Sequence, residues 1–115
     1  MAEISPTRNQ AINGWIIETW ATVTESDTFE EVITTSPHRD VIARLSGTFG
    51  GATVVLQGSI DGTNWQTVKD IGGDDISFTA AGFAEVRSIW PYMRFSASSG
   101  ASQSVTAELA RASFG

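Results

Sequence analysis

From Trp15 onward, apolar and polar residues alternate with a period of two. Trp15, Ile17, Thr19 and Ala21 fall on one side of the pattern, and Ile16, Glu18, Trp20 and Thr22 on the other. That is the spacing of a half-buried strand, not of a helix. Residues 29–35 read the same way, with Phe29, Glu31 and Ile33 opposite Glu30, Val32 and Thr34, until Pro37 interrupts the pattern. Proline has no N–H to give to a sheet ladder. Val41, Ala43 and Leu45 alternate with Ile42, Arg44 and Ser46. Val54, Leu56, Gly58 and Ile60 alternate with Thr53, Val55, Gln57 and Ser59. Asp61-Gly62-Thr63-Asn64 then marks a turn, because Gly supplies the positive φ that tight hairpins need, and residues 65–70 return as the partner strand. Further short strands are predicted over 76–79, 84–89, 92–97 and 104–110, divided by Gly72-Gly73-Asp74-Asp75, Ala80-Ala81-Gly82, Trp90-Pro91 and a Ser-rich loop at 98–102.

About eight short strands with closely spaced turns predict an all-β fold, an antiparallel and jelly-roll-like β-sandwich over residues 14–115. Residues 1–13 lack the alternation. They are polar, with isolated apolar points at Ile4, Pro6 and Ile12, and predict an extended arm with little order of its own.

Composition narrows what such a sandwich can do. The chain has 115 residues, enough for one domain. At that size a fold buries roughly two thirds of its unfolded surface and needs no staples. There is no Cys and one His, so disulfides, thiolate metal sites, thiol nucleophiles and paired imidazoles are all excluded. Charged residues make up 17% of the chain, and Ser and Thr together number 26. Thr suits a pleated surface because its branched Cβ fits a strand. A surface with so few charges repels neighbouring subunits weakly. The net charge of −6 argues against a nucleic-acid partner, which needs clustered Lys and Arg. No apolar run approaches the ~20 residues of a spanning helix, so no membrane partner is expected. The polar first ten residues predict no secretory leader.

Catalytic chemistry finds little to use. His38 lies between Pro37 and Arg39, where a solvated loop position is expected, and no Gly-x-Ser-x-Gly elbow accompanies it. Glu30 and Glu31 are strand neighbours pointing to opposite faces and cannot share a substrate. Asp74-Asp75 lacks the spacing of a calcium loop. Gly50-Gly51 and Gly72-Gly73 lack the Gly-Lys-Ser/Thr ending of a phosphate cradle. The expectation is therefore no enzyme, no metal and no cofactor. Arg94, beside Tyr92 in a strand, is expected to pair with a carboxylate and hold the sheet. Trp15 and Trp20, five residues apart, should face opposite sides, so one would be exposed or covered by another subunit. Trp65 is expected at the sandwich edge and Trp90 at a strand corner. Open Trp faces stack on sugar rings, but core or interface packing is the more usual use of aromatics.

One stretch carries a resemblance. Gly50-Gly51-Ala52-Thr53-Val54-Val55-Leu56-Gln57-Gly58-Ser59-Ile60-Asp61-Gly62-Thr63-Asn64-Trp65 resembles a hairpin common in small virion proteins of tailed bacteriophages, and residues 76–82 and Tyr92-Met93-Arg94 continue the likeness. It spans about residues 45–110. The core of the motif (Ser59, Asp61, Gly62, Asn64 and Trp65) also occurs in discoidin-like and carbohydrate-binding jelly rolls. The resemblance implies a structural part of a phage particle. The first expectation within that class is a head decoration (cement) protein on the outer capsid surface, made in the host bacterial cytoplasm. Its implied partners are the major capsid protein and further copies of itself, with a trimer favoured. A tail or neck component and a glycan-binding module are the alternatives. An arm of this kind would add a strand to the coat protein, so the expected interface residues are Ile4, Pro6, Ile12, Trp15 and Trp20. Asp61, Gly62, Asn64 and Trp65 are expected to build the hairpin.

Overall fold

The structure, a computed structural model, describes residues 2–10, 15–24, 27–33, 38–87, 90–98 and 103–113. The described residues form twelve strands: β1 (Ala2–Ile4), β2 (Thr7–Gln10), β3 (Trp15–Thr24), β4 (Asp27–Phe29), β5 (Val32–Ile33), β6 (His38–Thr48), β7 (Val54–Ser59), β8 (Gln66–Thr67), β9 (Ser77–Phe78), β10 (Gly82–Glu85), β11 (Tyr92–Ala97) and β12 (Ser104–Ser113). One antiparallel sheet runs in the order β10-β6-β12-β3-β2. A second runs β5-β11-β7-β8, with β9 also paired to β7, and β1 and β4 form a two-stranded sheet. The expected all-β sandwich is therefore the observed architecture.

Alternation places the core between the sheets. Val41, Ala43 and Leu45 of β6, Val105, Ala107 and Leu109 of β12, Val54 and Leu56 of β7, and Met93 and Phe95 of β11 are all buried there. Strict alternation fails in β3, and the exception is instructive. Trp20 and Val23 lie an odd number of residues apart, yet both are fully buried. Val105 pairs with Val23 and Ala107 with Trp20, so β3 holds one residue more than β12 over this interval. The extra residue makes a β-bulge beside Thr22, whose φ of 55° is left-handed. A bulge resets which face the following side chains take. Trp20, Phe29 and Phe95 meet at the centre, with ring centroids 5.4–6.3 Å apart and mostly edge-on geometry. The Trp20 indole N–H donates to the Glu30 carbonyl at 2.9 Å.

Several boundaries differ from those expected. The expected strand over 29–35 is broken within its described part, residues 29–33, where β4 and β5 are separated by Glu30 and Glu31. His38 opens β6 and pairs with Ser113 instead of sitting in a loop. Ile60 is 75% exposed, because β7 ends at Ser59 and the chain turns outward before the next inward position.

The amino-terminal segment differs most. Residues 2–10 are not a detached arm. β1 pairs in parallel with β4, and β2 adds to β3 as the outermost strand of the five-stranded sheet. Ile4 packs against the core, and its carbonyl accepts from the Glu30 N–H at 3.0 Å. Backbone pairing with the neighbouring β3 and β4 satisfies groups that an extended arm would leave to water.

Gly58 illustrates how tightly the second sheet is packed. It points inward from β7, and a Cβ there would lie 2.4 Å from Trp90 Cγ. The indole fills the space a side chain would need. Gly58→Ala is therefore expected to cost about 1–3 kcal/mol in urea unfolding, the usual range for overpacking. An unchanged midpoint would show that Trp90 moves aside freely.

Candidate functional site

Among the described residues, no group of three or more His, Asp or Glu side chains converges to hold a metal ion. The polar clusters that do exist serve the fold. Asp61 is the clearest. One carboxylate oxygen accepts from the backbone N–H groups of Thr63 and Asn64 at 2.8 and 2.9 Å and from the Ser59 hydroxyl at 3.0 Å. The other accepts from the Asn64 side-chain amide at 2.8 Å. The connection is wider than a two-residue hairpin, since Gly58 pairs with Gln66 across it. Asp61 holds this longer loop closed, while Gly62 supplies a φ of 79°. Four roles follow for the motif residues: Asp61 caps, Gly62 turns, Asn64 braces and Trp65 packs beyond the turn. Ser59, a buried hydroxyl, joins them by accepting from the Gly62 N–H at 2.8 Å.

These bonds, led by the Asn64 and Thr63 backbone donors, pull the Asp61 carboxyl far below its ordinary 3.8. Hydrogen bonds to the charged form have this direction. The contribution to stability is complete above the ordinary carboxylate value and is lost as pH falls below it. Asp27, which accepts from the Thr24 N–H and hydroxyl, is lowered in the same direction by those two bonds. Asp61→Ala is expected to lower the thermal midpoint at pH 7 by several degrees and to flatten its fall between pH 4 and lower values. A variant whose midpoint declines with acid as steeply as the parent's would assign the acid sensitivity elsewhere.

Among the described residues Arg94 meets no carboxylate. Its Nε donates to Gln57 Oε1 at 2.9 Å, and its guanidinium lies 4.1 Å from the centre of the Trp65 ring. This cation–π stack ties the loop's far end to the second sheet. Asp75 pairs with Lys69, and both are exposed.

A buried ionic cluster closes one end of the core. Glu18 of β3 and Arg111 of β12 form an ion pair with both side chains almost wholly shielded from solvent. Arg8 of β2 reaches the other Glu18 oxygen at 3.0 Å from a half-exposed position. Burial lowers the Arg111 guanidinium below its ordinary value, the Glu18 carboxylate raises it, and Arg8 lowers it further. Arginine remains a cation throughout. Arg111 Nε has no hydrogen-bond partner among the described residues.

The surface offers the remaining candidate. The outer face of the five-stranded sheet carries Ile17 of β3, Ile42 of β6 and Ala110 of β12, with an Arg44–Glu108 ion pair in the adjoining row. Ile17, Ile42, Arg44, Glu108 and Ala110 line a shallow hollow of about 190 Å³. A second hollow of about 280 Å³ lies beside it, bordered by Trp15, Val41, Ile42, Ile71, Glu85 and Val86. Phe83 of β10 pairs with Arg44 and stands 71% exposed, and Ile71 is 61% exposed. On this face the row of Ile42, Ala110 and Ile17 is apolar and begins at Glu85, while the row of Phe83 continues through Arg44, Glu108 and Thr19.

The expected interface set divides against this geometry. Trp15 is half-buried at the rim of the second hollow. Ile4 and Pro6 are half-buried on the folded amino-terminal segment. Ile12 lies outside the described residues. Trp20 is removed from the set, because it is wholly buried at the core's centre. The parity argument for Trp15 and Trp20 holds, with Trp20 the inward one. Ile17, Ile42 and Phe83 were not singled out by their sequence. The available signal was apolar residues in both registers of one strand, Trp15-Ile16-Ile17 and Val41-Ile42-Ala43, which marks a strand apolar on two faces.

No protein-family model and no curated protein sequence matches the chain. Solved structures do. The fold is similar to that of the SPBc2 prophage-derived protein YomS, with a TM-score of 0.59 at 10% identity, covering 90% of this chain and 98% of that one. It is also similar to part of the IMPa metallopeptidase, determined in complex with T-antigen, with a TM-score of 0.50 at 14% identity, covering 94% of this chain and 13% of that one. At these identities the likeness concerns the fold alone. The class it defines is a compact antiparallel β-sandwich, complete in one case and one portion of a larger protein in the other.

Proposed function

We propose that this chain is a structural protein of a bacteriophage particle and, within that class, a decoration protein bound to the outer capsid surface. The observation that carries the reading is the end-to-end likeness in fold to a prophage-derived protein of nearly the same extent. The resemblance of residues 50–65 to virion proteins supports it independently of that fold match. The acidic charge favours the outside of a shell over contact with packaged DNA. The mode of attachment is revised by the fold. Residues 2–10 already pair within the chain, so the coat protein would meet a folded edge instead of a free arm. β2 ends the sheet order, and its outer edge can accept a strand by β-augmentation. Many such contacts on one lattice would act together through avidity.

The test is sedimentation of the purified chain with capsids of the particle whose genome encodes it. Saturable binding at a lattice-fixed copy number, with capsids opening at higher temperature, is expected. Electron microscopy that places the chain at the tail or neck would replace the decoration role with a tail or neck one. Absence from purified particles would overturn both. A glycan-binding reading finds less support, since Trp20 is in the core and Trp65 carries Arg94 over its ring.

A further inference from the structure

We infer that the outer face of the β5-β11-β7-β8 sheet binds, at Arg94, a carboxylate side chain presented by a partner protein. This rests on the surface itself and not on the phage reading. The first argument is charge. Arg8, Arg44, Lys69 and Arg111 each pair with an Asp or Glu of the chain. Arg94 instead gives its Nε–H to Gln57 and rests its guanidinium over Trp65, and neither contact neutralises it. Two acids border this face. Glu31 is exposed, one register position beyond the Val32–Met93 pair, and forms no ion pair with Arg94 among the described residues. Asp61 is bonded within its own loop.

The second argument is geometry. Gln57 Oε1 fixes Nε at 2.9 Å, and the Trp65 ring, 4.1 Å from the guanidinium carbon, covers one side. Among the described residues the two Nη nitrogens make no bond, and neither is buried. They form the end-on edge of the guanidinium, one N–H from each, which matches the two oxygens of a carboxylate. A group held in place beforehand loses less freedom on binding. Thr67, Gln57 and Arg94 form one row across β8, β7 and β11, all half-buried. Gln57 accepts through its oxygen, so its amide nitrogen remains a donor, and the Thr67 hydroxyl is another. The rows on either side hold Ser77, Val55 and Ser96, and Ser59 and Tyr92. They add no charge.

The third argument is the kind of partner. Trp, Tyr and Arg are the residues enriched where proteins dock, and Trp65, Tyr92 and Arg94 share this patch. A sugar acid would need an open ring to stack on. Arg94 already lies over Trp65, and the Tyr92 ring lies against Gly62, where a Cβ would stand 3.5 Å from it. A carboxylate on a protein segment needs only the guanidinium edge and the donors beside it.

The experiment is an NMR titration of the isotope-labelled full chain at constant ionic strength, following the Trp65 indole N–H and the Arg94 Nε–H. The probes are N-acetyl-glutamate methylamide, the matching glutamine compound and glucuronate. The glutamate probe is expected to shift both signals saturably in the millimolar range and to bind at least as tightly as glucuronate. The glutamine probe should leave both signals in place. Arg94→Gln should weaken glutamate binding on the order of tenfold, as loss of hydrogen bonds to a charged group does. Gln57→Glu supplies a carboxylate from within the chain and should block the site without lowering the thermal midpoint, which separates lost binding from unfolding. No saturable shift would overturn the inference, and so would binding that survives Arg94→Gln or Gln57→Glu, or a glutamine probe that shifts the signals as glutamate does. Tighter binding of glucuronate than of glutamate would also overturn it, assigning the face to an acidic glycan.

Discussion

Glu18→Ala is expected to destabilise the fold by about 3–5 kcal/mol, the range for removing one partner of a buried ion pair. Arg111 stays charged, stays buried and loses the carboxylate that compensates it. Among the described residues its Nε has no partner, so none of them offers a spare hydrogen bond to absorb the change. The three residues do not contribute equally. Arg8→Ala removes an ion pair whose arginine is more than half exposed, and should cost about 1 kcal/mol or less. Arg111→Met should cost less than Glu18→Ala, because Glu18 keeps Arg8 as a partner at 3.0 Å. The double replacement Glu18→Leu with Arg111→Met should recover most of the loss, since an apolar pair avoids the desolvation of both charges. Urea unfolding of the four variants checks the order. A Glu18→Ala cost under 1 kcal/mol would show that water reaches Arg111 readily.

Trp20→Ala is expected to cost about 3–5 kcal/mol, the range for truncating a buried large aromatic. The substitution removes the ring shared by Phe29 and Phe95 and leaves the Glu30 carbonyl without its indole donor. Against a total stability of about 5–15 kcal/mol, that brings the fold close to the point of unfolding. Trp20→Phe should cost clearly less, because it keeps most of the contact area and gives up the hydrogen bond. Equilibrium unfolding followed by circular dichroism distinguishes the two. If both cost the same, the hydrogen bond, not the ring volume, holds this position.

Both sites bear on function through the amino-terminal segment. Trp20 bonds to Glu30, Glu30 bonds to Ile4, and Arg8 bonds to Glu18. Residues 2–10 are thus fastened to the core at two points. A segment fastened in this way can present a fixed edge to a partner, but it does not need a partner in order to fold. In the proposed role the coat protein would meet the β2 edge.

Much of this protein was determined by its sequence alone. Alternation at period two selected most strands from Trp15 onward, and the inward positions Val41, Ala43, Leu45, Val54, Leu56, Met93, Phe95, Val105, Ala107 and Leu109 follow it. Asp61-Gly62 marked a turn and Asn64-Trp65 its closure, because the capping bonds form within six residues. The lack of Cys and of a second His excluded whole classes of chemistry with no structure needed. These are local properties, set by spacing along the chain and by the chemistry of single side chains. Tertiary structure decided the rest. The bulge at Thr22 turns Val23 inward, which shows only when β3 is laid against β12. Arg94 stacks on Trp65, twenty-nine positions away in sequence. Glu18 and Arg111 meet because β3 and β12 are adjacent in the sheet. The amino-terminal segment lies on its own domain because β3 and β4 leave it edges to pair with. The apolar row on the outer face arises from Ile17, Ile42 and Ala110, which meet because β3, β6 and β12 are neighbours. Such contacts depend on which strands become neighbours, a choice made by the packing of the whole core and not by any local segment.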